Sequence, residues 1–227
     1  MIKIMVVYYL DILKEYYPKE IEHSFWCQQI EFVDYSKPLK NTEVLNEVLY
    51  SISEFFDLNL EVIYIKSEFE ILDRGMPLPC DILNAKDKEM FQIGVSIFGE
   101  MNKDVTLCEG ILLLVQEKLF KDGKIPFDDS FIESDDEFIP FLVIASVYFG
   151  FLLPLLYRVN VTGEYMLDNV TNYSYKYHLP IYKEQLLETI VLVSNYKGVP
   201  INDVIYKLLN LDKDLKKEIL KVERKFF

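Results

Sequence analysis

The sequence predicts an α+β fold, predominantly helical, with a small sheet that includes residues 60–65 and a helical body around a buried apolar helix at 138–157. Three observations carry this. Residues 60–65 read LEVIYI, a β-branched and aromatic run that is the strongest strand pattern in the chain. Apolar residues recur at three- and four-residue spacing through most of the second half. Residues 138–157, FIPFLVIASVYFGFLLPLLY, form a run without a single charge.

Residues 2–17 fit two patterns. Ile2, Val6, Tyr9, Leu10, Leu13, Tyr16 and Tyr17 make a helix face, while Ile4 to Leu10 could also be a buried strand. The absence of a turn signal before Pro18 favours helix. Phe25, Trp26, Ile30 and Val33 again have helical spacing, but Ile30, Phe32 and the Tyr35 region could also be extended. Asn41 or Thr42 starts a helix with the stripe Val44, Leu45, Val48, Leu49, Ile52, Phe55 and Phe56, and Leu58-Asn59 ends it. Residues 73–79 are a loop, because Pro77 and Pro79 prevent helix continuation. Asn84 precedes a predicted helix with Met90, Ile93, Ile97, Phe98 and Met101 on one face. Thr106 and Glu109 have capping-box spacing at the start of a helix running to Gly123, and Ser134 and Glu137 repeat it before the apolar run. Val159 to Leu167 reads as a small hairpin turning at Thr162-Gly163. Tyr173, Tyr175 and Tyr177 then alternate with Ser174 and Lys176, which predicts an edge strand with one tyrosine face. Pro180 and Pro200 suit first turns of helices, the former ending near Gly198, and Asp212 can cap the last helix. No linker separates these elements. The expectation is a single domain over 1–227, with a mixed α/β part over about 1–80 and a helical part over about 84–227.

The uncharged run is long enough to cross a membrane. Pro140 and Pro154 near its ends, Ser146 and Tyr148 at its middle, and the lack of a second candidate favour a helix buried in protein. A membrane partner is therefore not expected. The N-terminus has no cationic region ahead of its apolar start, and Asp11 follows, so it does not read as a signal peptide. Cys27, Cys80 and Cys108 are an odd number with no close pair, which points to free thiols in a reducing, cytoplasmic setting.

With 24 Lys and Arg against 37 Asp and Glu, the formal net charge is -13. That sign repels phosphate backbones, so nucleic acid is not an expected partner. Residues 180–227 carry nine basic and seven acidic groups, and residues 1–179 carry 15 and 30, so the acidity lies in the first 179 residues. Asp128 to Glu137, DDSFIESDDE, is the most acidic segment. It suits the N-terminus of the apolar helix, where carboxylates complement the helix dipole, and it could also face a basic partner; a calcium site ranks third, since the EF-hand spacing and central glycine are missing. The sparse alanine and arginine look like the coding bias of an AT-rich genome, which weakens the 15% aromatic content as a sign of a binding surface.

Patterns that carry chemistry are few. His23 and Cys27 are four apart and could supply half a metal site on a helix, but no spacing nominates the other half. Gly94-Val95-Ser96-Ile97-Phe98-Gly99 resembles a nucleophile elbow with one residue too many, and it falls inside the helix predicted over the same stretch. Phosphate-binding glycine loops and zincin motifs are absent, and no cofactor is expected. The reading that follows is a non-enzymatic acidic binding protein, in its most concrete form a bacterial immunity or inhibitor protein that neutralises a basic protein partner. Its candidate contacts are Asp128, Asp129, Asp135 and Asp136, with Tyr173, Tyr175 and Tyr177. The alternatives are an enzyme with a carboxylate- or Cys-based site and a membrane-associated protein using 138–157.

Overall fold

The computed structural model describes residues 2–18, 38–67, 78–83, 90–125, 135–157, 160–167, 171–178, 183–207 and 213–226. The fold is predominantly helical α+β. Contacts group the chain into two compact units, each discontinuous in sequence: residues 1–32, 122–157 and 179–227 form the first, and residues 33–121 and 158–178 the second.

The first unit is helical among its described residues. It holds α1 (Ile2–Tyr16), α5 (Asp135–Tyr148), α6 (Leu152–Tyr157), α7 (Lys183–Tyr196), α8 (Ile201–Lys207) and α9 (Lys213–Phe226). Helix α7 packs against α1, α5, α8 and α9, and α1 also packs on α5. The expected α1 face is the buried one: Val6, Tyr9, Leu10, Leu13 and Tyr17 are all buried. Tyr9 meets Phe141 of α5 edge to face at 5.2 Å, the geometry that the ring quadrupoles favour. The carbonyl of Tyr17, left over at the end of α1, accepts a hydrogen bond from Tyr148 Oη at 3.0 Å. This one bond satisfies both a helix-end acceptor and a buried phenol.

Residues 141–152 of the apolar run are buried without interruption, and Phe138, Ile139 and Pro140 are half-buried. It is two helices, however, not the single helix expected over 138–157. Gly150 has φ 103°. Its N–H bonds to Val147 O at 3.0 Å, and Phe151 N–H bonds to Ser146 O at 2.9 Å. These are the two bonds of a glycine-terminated helix end. After it Pro154, third residue of α6, falls where a missing N–H costs nothing. Ser146 Oγ donates to Leu142 O at 2.7 Å, which keeps its hydroxyl satisfied in an apolar setting. Among the described residues no helix is long and apolar enough to cross a membrane.

The same helix end recurs after α7, where Gly198 has φ 63° and Val199 N–H bonds to Ser194 O. The next helix starts directly after Pro200, whose carbonyl accepts from Asp203 and Val204. Helix α9 buries Ile219 and Val222, and every exposed residue on it is charged. Its ion pairs, Lys217–Asp214 at 2.9 Å and Lys183–Glu218 at 2.6 Å, lie on exposed side chains.

The second unit holds α2 (Thr42–Phe55), β1 (Leu60–Tyr64), β2 (Cys80–Ile82), β3 (Phe91–Val95), α3 (Ile97–Met101), α4 (Lys103–Asp122), β4 (Asn160–Leu167) and β5 (Thr171–His178). Helix α2 buries five residues of its predicted stripe, Leu45, Val48, Leu49, Ile52 and Phe56, while Val44 is half-buried and Phe55 exposed. Asn41 caps it, accepting from Glu43 N–H at 2.8 Å. Asn41→Ala is expected to cost about 1 kcal/mol, read as a lower urea midpoint with an unchanged slope. An unaltered midpoint would mean that water replaces the cap at no cost. The helix ends at Asp57 with φ 54°, a left-handed residue that is usually glycine.

The three-stranded sheet has the order β1-β3-β2, with β1 parallel and β2 antiparallel to β3. Its centre is therefore β3, within the stretch where a helix was expected after Asn84. Three of that helix's five supposed core residues are surface residues: Met90 is 37% exposed, Ile97 42% and Met101 57%. Strand pairing on both sides decides against helix, and Gly94, a poor helix residue, is where Leu83 comes so close that a Cβ would lie 2.8 Å from its Cδ2. Thr106 is likewise not a helix cap. It lies inside α4, and its hydroxyl donates to Gly99 O at 2.7 Å. The end near Gly123 is as expected, with φ 57° there.

Strands β4 and β5 form a second, antiparallel sheet in the register Val161↔Tyr177, Gly163↔Tyr175 and Tyr165↔Tyr173. The predicted turn at Thr162-Gly163 is thus mid-strand, and the two strands are joined by residues 168–170 instead. The Phe25–Val33 pattern, Pro180 and the caps Ser134 and Asp212 lie outside the described residues, as does the Asp73–Pro77 part of the loop.

Candidate functional site

Of the four aspartates nominated by the sequence, Asp128 and Asp129 lie outside the described residues. Asp135 and Asp136 are the first two residues of α5, in the first unit. Tyr173, Tyr175 and Tyr177 belong to β5, in the second unit. The strand period of two puts them on one face. The register adds what the sequence reading missed: Tyr165 stands opposite Tyr173 and so shares that face, with Val161, Gly163, Leu167 and Thr171. The other face carries Asn160, Thr162, Glu164, Met166, Asn172, Ser174, Lys176 and His178. The alternation of Val161, Gly163, Tyr165 and Leu167 with polar and other residues was the available signal for Tyr165.

The acidic excess is not confined to one unit. The first unit holds 13 basic and 19 acidic residues, net -6, and the second 11 and 18, net -7. The basic tail at 180–227 shares its unit with the acidic segment 128–137, so the asymmetry along the sequence does not persist as an asymmetry between units.

Ser96 has the context the sequence reading denied it, lying between a strand and a helix. It is nonetheless a structural residue. It is fully buried, with φ -74° and ψ 171°, an unstrained extended conformation. Its Oγ accepts from Gly99 N–H at 3.0 Å and donates to Leu78 O at 2.9 Å, so it caps α3 and ties it to the chain before β2. A nucleophile needs an exposed oxygen within reach of a base. This oxygen is enclosed by backbone.

Cys80 and Cys108 are buried thiols outside any disulfide, and Cys27 and His23 lie outside the described residues. Burial, with Glu109, Asp81 and Cys108 nearby, pushes the Cys80 thiol well above its ordinary range. It stays protonated and lies 3.8 Å from Thr106 O. Thiolate is the reactive form. In a Cys27→Ser background, both remaining thiols are therefore expected to react with an aromatic disulfide reagent only as fast as the protein opens, and at once in denaturant. Immediate labelling of either in native protein would contradict this burial.

A polar group joins α2 to the edge strand β1. Tyr64 Oη donates to Asn46 Oδ1 at 2.6 Å, and Val62 N–H donates to Tyr50 Oη at 3.4 Å. Partial burial is the main cause that pushes the Tyr64 phenol up to about 12, so it remains a donor. Glu61 accepts from Gln92 across the sheet. This network fastens helix to strand. Among the described residues no three His, Cys, Asp or Glu side chains gather as a metal site.

No family model, curated protein or solved structure matches the chain. The residues themselves are therefore the basis for a functional reading. They comprise an acidic excess shared by both units and a hairpin whose register places four tyrosines on one face.

Proposed function

We propose that this is a non-enzymatic, cytoplasmic, acidic binding protein that neutralises a basic protein partner, in its most concrete form a bacterial immunity or inhibitor protein. The observation that carries this is the net charge of -13, held as -6 and -7 on the two units. A field of one sign from both units attracts a basic protein over a Debye length of about 8–10 Å and accelerates its association. It opposes nucleic acid in the same way. The β4–β5 hairpin supports the reading, since tyrosines grouped on one face offer large contact area at low entropic cost.

The test is a pull-down with the full chain, followed by association kinetics of the recovered partner with wild type and with Asp128, Asp129, Asp135 and Asp136 all changed to Asn. The expected result is association slowed several-fold at low salt, with a shallower salt dependence and little change in melting temperature. An unchanged association rate, or tight binding of the wild-type protein to DNA or RNA at physiological salt, rejects the proposal.

A further inference from the structure

We draw no further inference here: the strongest candidate, the face of the β4–β5 hairpin where the register gathers Tyr165, Tyr173, Tyr175 and Tyr177, carries nothing beyond the reading above because nothing in the structure shows what covers it.

Discussion

Ile144→Asp is expected to unfold the helical unit at neutral pH. Ile144 is fully buried in α5, whose neighbours are α1 and α7. Removing the aliphatic side chain alone should cost about 2–5 kcal/mol. The new carboxylate adds the cost of a charge among apolar groups, which it escapes only by taking up a proton. Holding an Asp protonated three pH units above its ordinary value of about 3.9 costs roughly 4 kcal/mol. The sum rivals a typical total stability of about 5–15 kcal/mol. The sign of the pH dependence follows. The folded-state pKa is raised, so the deficit relative to wild type is largest at neutral pH and shrinks as pH falls towards the unfolded value. Ile144→Asn carries the packing loss without the titration, and Ile144→Val should cost only about 0.5–1.5 kcal/mol. Urea midpoints by far-ultraviolet circular dichroism at pH 7 and pH 5 measure all three. Wild-type midpoints for Ile144→Asp at both values would show that this position is not enclosed.

Gly99→Ala is expected to be the most damaging single methyl group in the second unit. A Cβ on Gly99 would stand 1.9 Å from Pro79 O and 2.7 Å from Pro79 C. Both are backbone atoms held in place, since Pro79 O also accepts from Ser96 N–H at 3.1 Å. Relief requires moving α3 away from the chain that enters β2. That breaks the Ser96 bonds to Leu78 and Pro79 and strains the Thr106 bond to Gly99 O. Overpacking costs about 1–3 kcal/mol, and each buried polar group left unpaired about 1–3 kcal/mol more. A loss of at least about 3 kcal/mol is expected. Gly94→Ala is the informative comparison, because its obstacle is the Leu83 side chain, which can turn. Gly198→Ala has no obstacle within 4 Å and should pay only the left-handed backbone penalty of about 1–2 kcal/mol. Melting temperatures in the order Gly198→Ala and Gly94→Ala above Gly99→Ala support the backbone contact. An equal loss at all three would reduce Gly99 to an ordinary glycine.

The parts of the fold that were legible depend on local chemistry. The α2 stripe, the Asn41 cap, strand β1 and the ends near Gly123 and Gly198 each follow from a few adjacent residues. The errors share another cause. Residues 90–101 have apolar spacing compatible with a helix, and the strand emerges only because β1 and β2 supply partners on both sides of β3. Gly150 lies inside the uncharged run, and its positive φ ends α5 and turns one predicted helix into two. The division into two units leaves no linker to read, because the chain passes between them after residues 32, 121 and 157 and after residue 178.

By itself the sequence determined the predominance of helix, the burial of residues 141–152, the acidity and the tyrosine alternation of β5. These are sums or short periods, and they survive any arrangement that hides apolar surface and exposes charge. Tertiary structure alone decided the strand at 91–95, the enclosure of Ser96, the placing of Tyr165 beside Tyr173, and the gathering of the basic tail and residues 122–157 into one unit. Each depends on which distant segment supplies the partner for a backbone bond or an apolar face. Strand register and helix packing join residues far apart in the chain, and local propensity is too weak to choose among such partners.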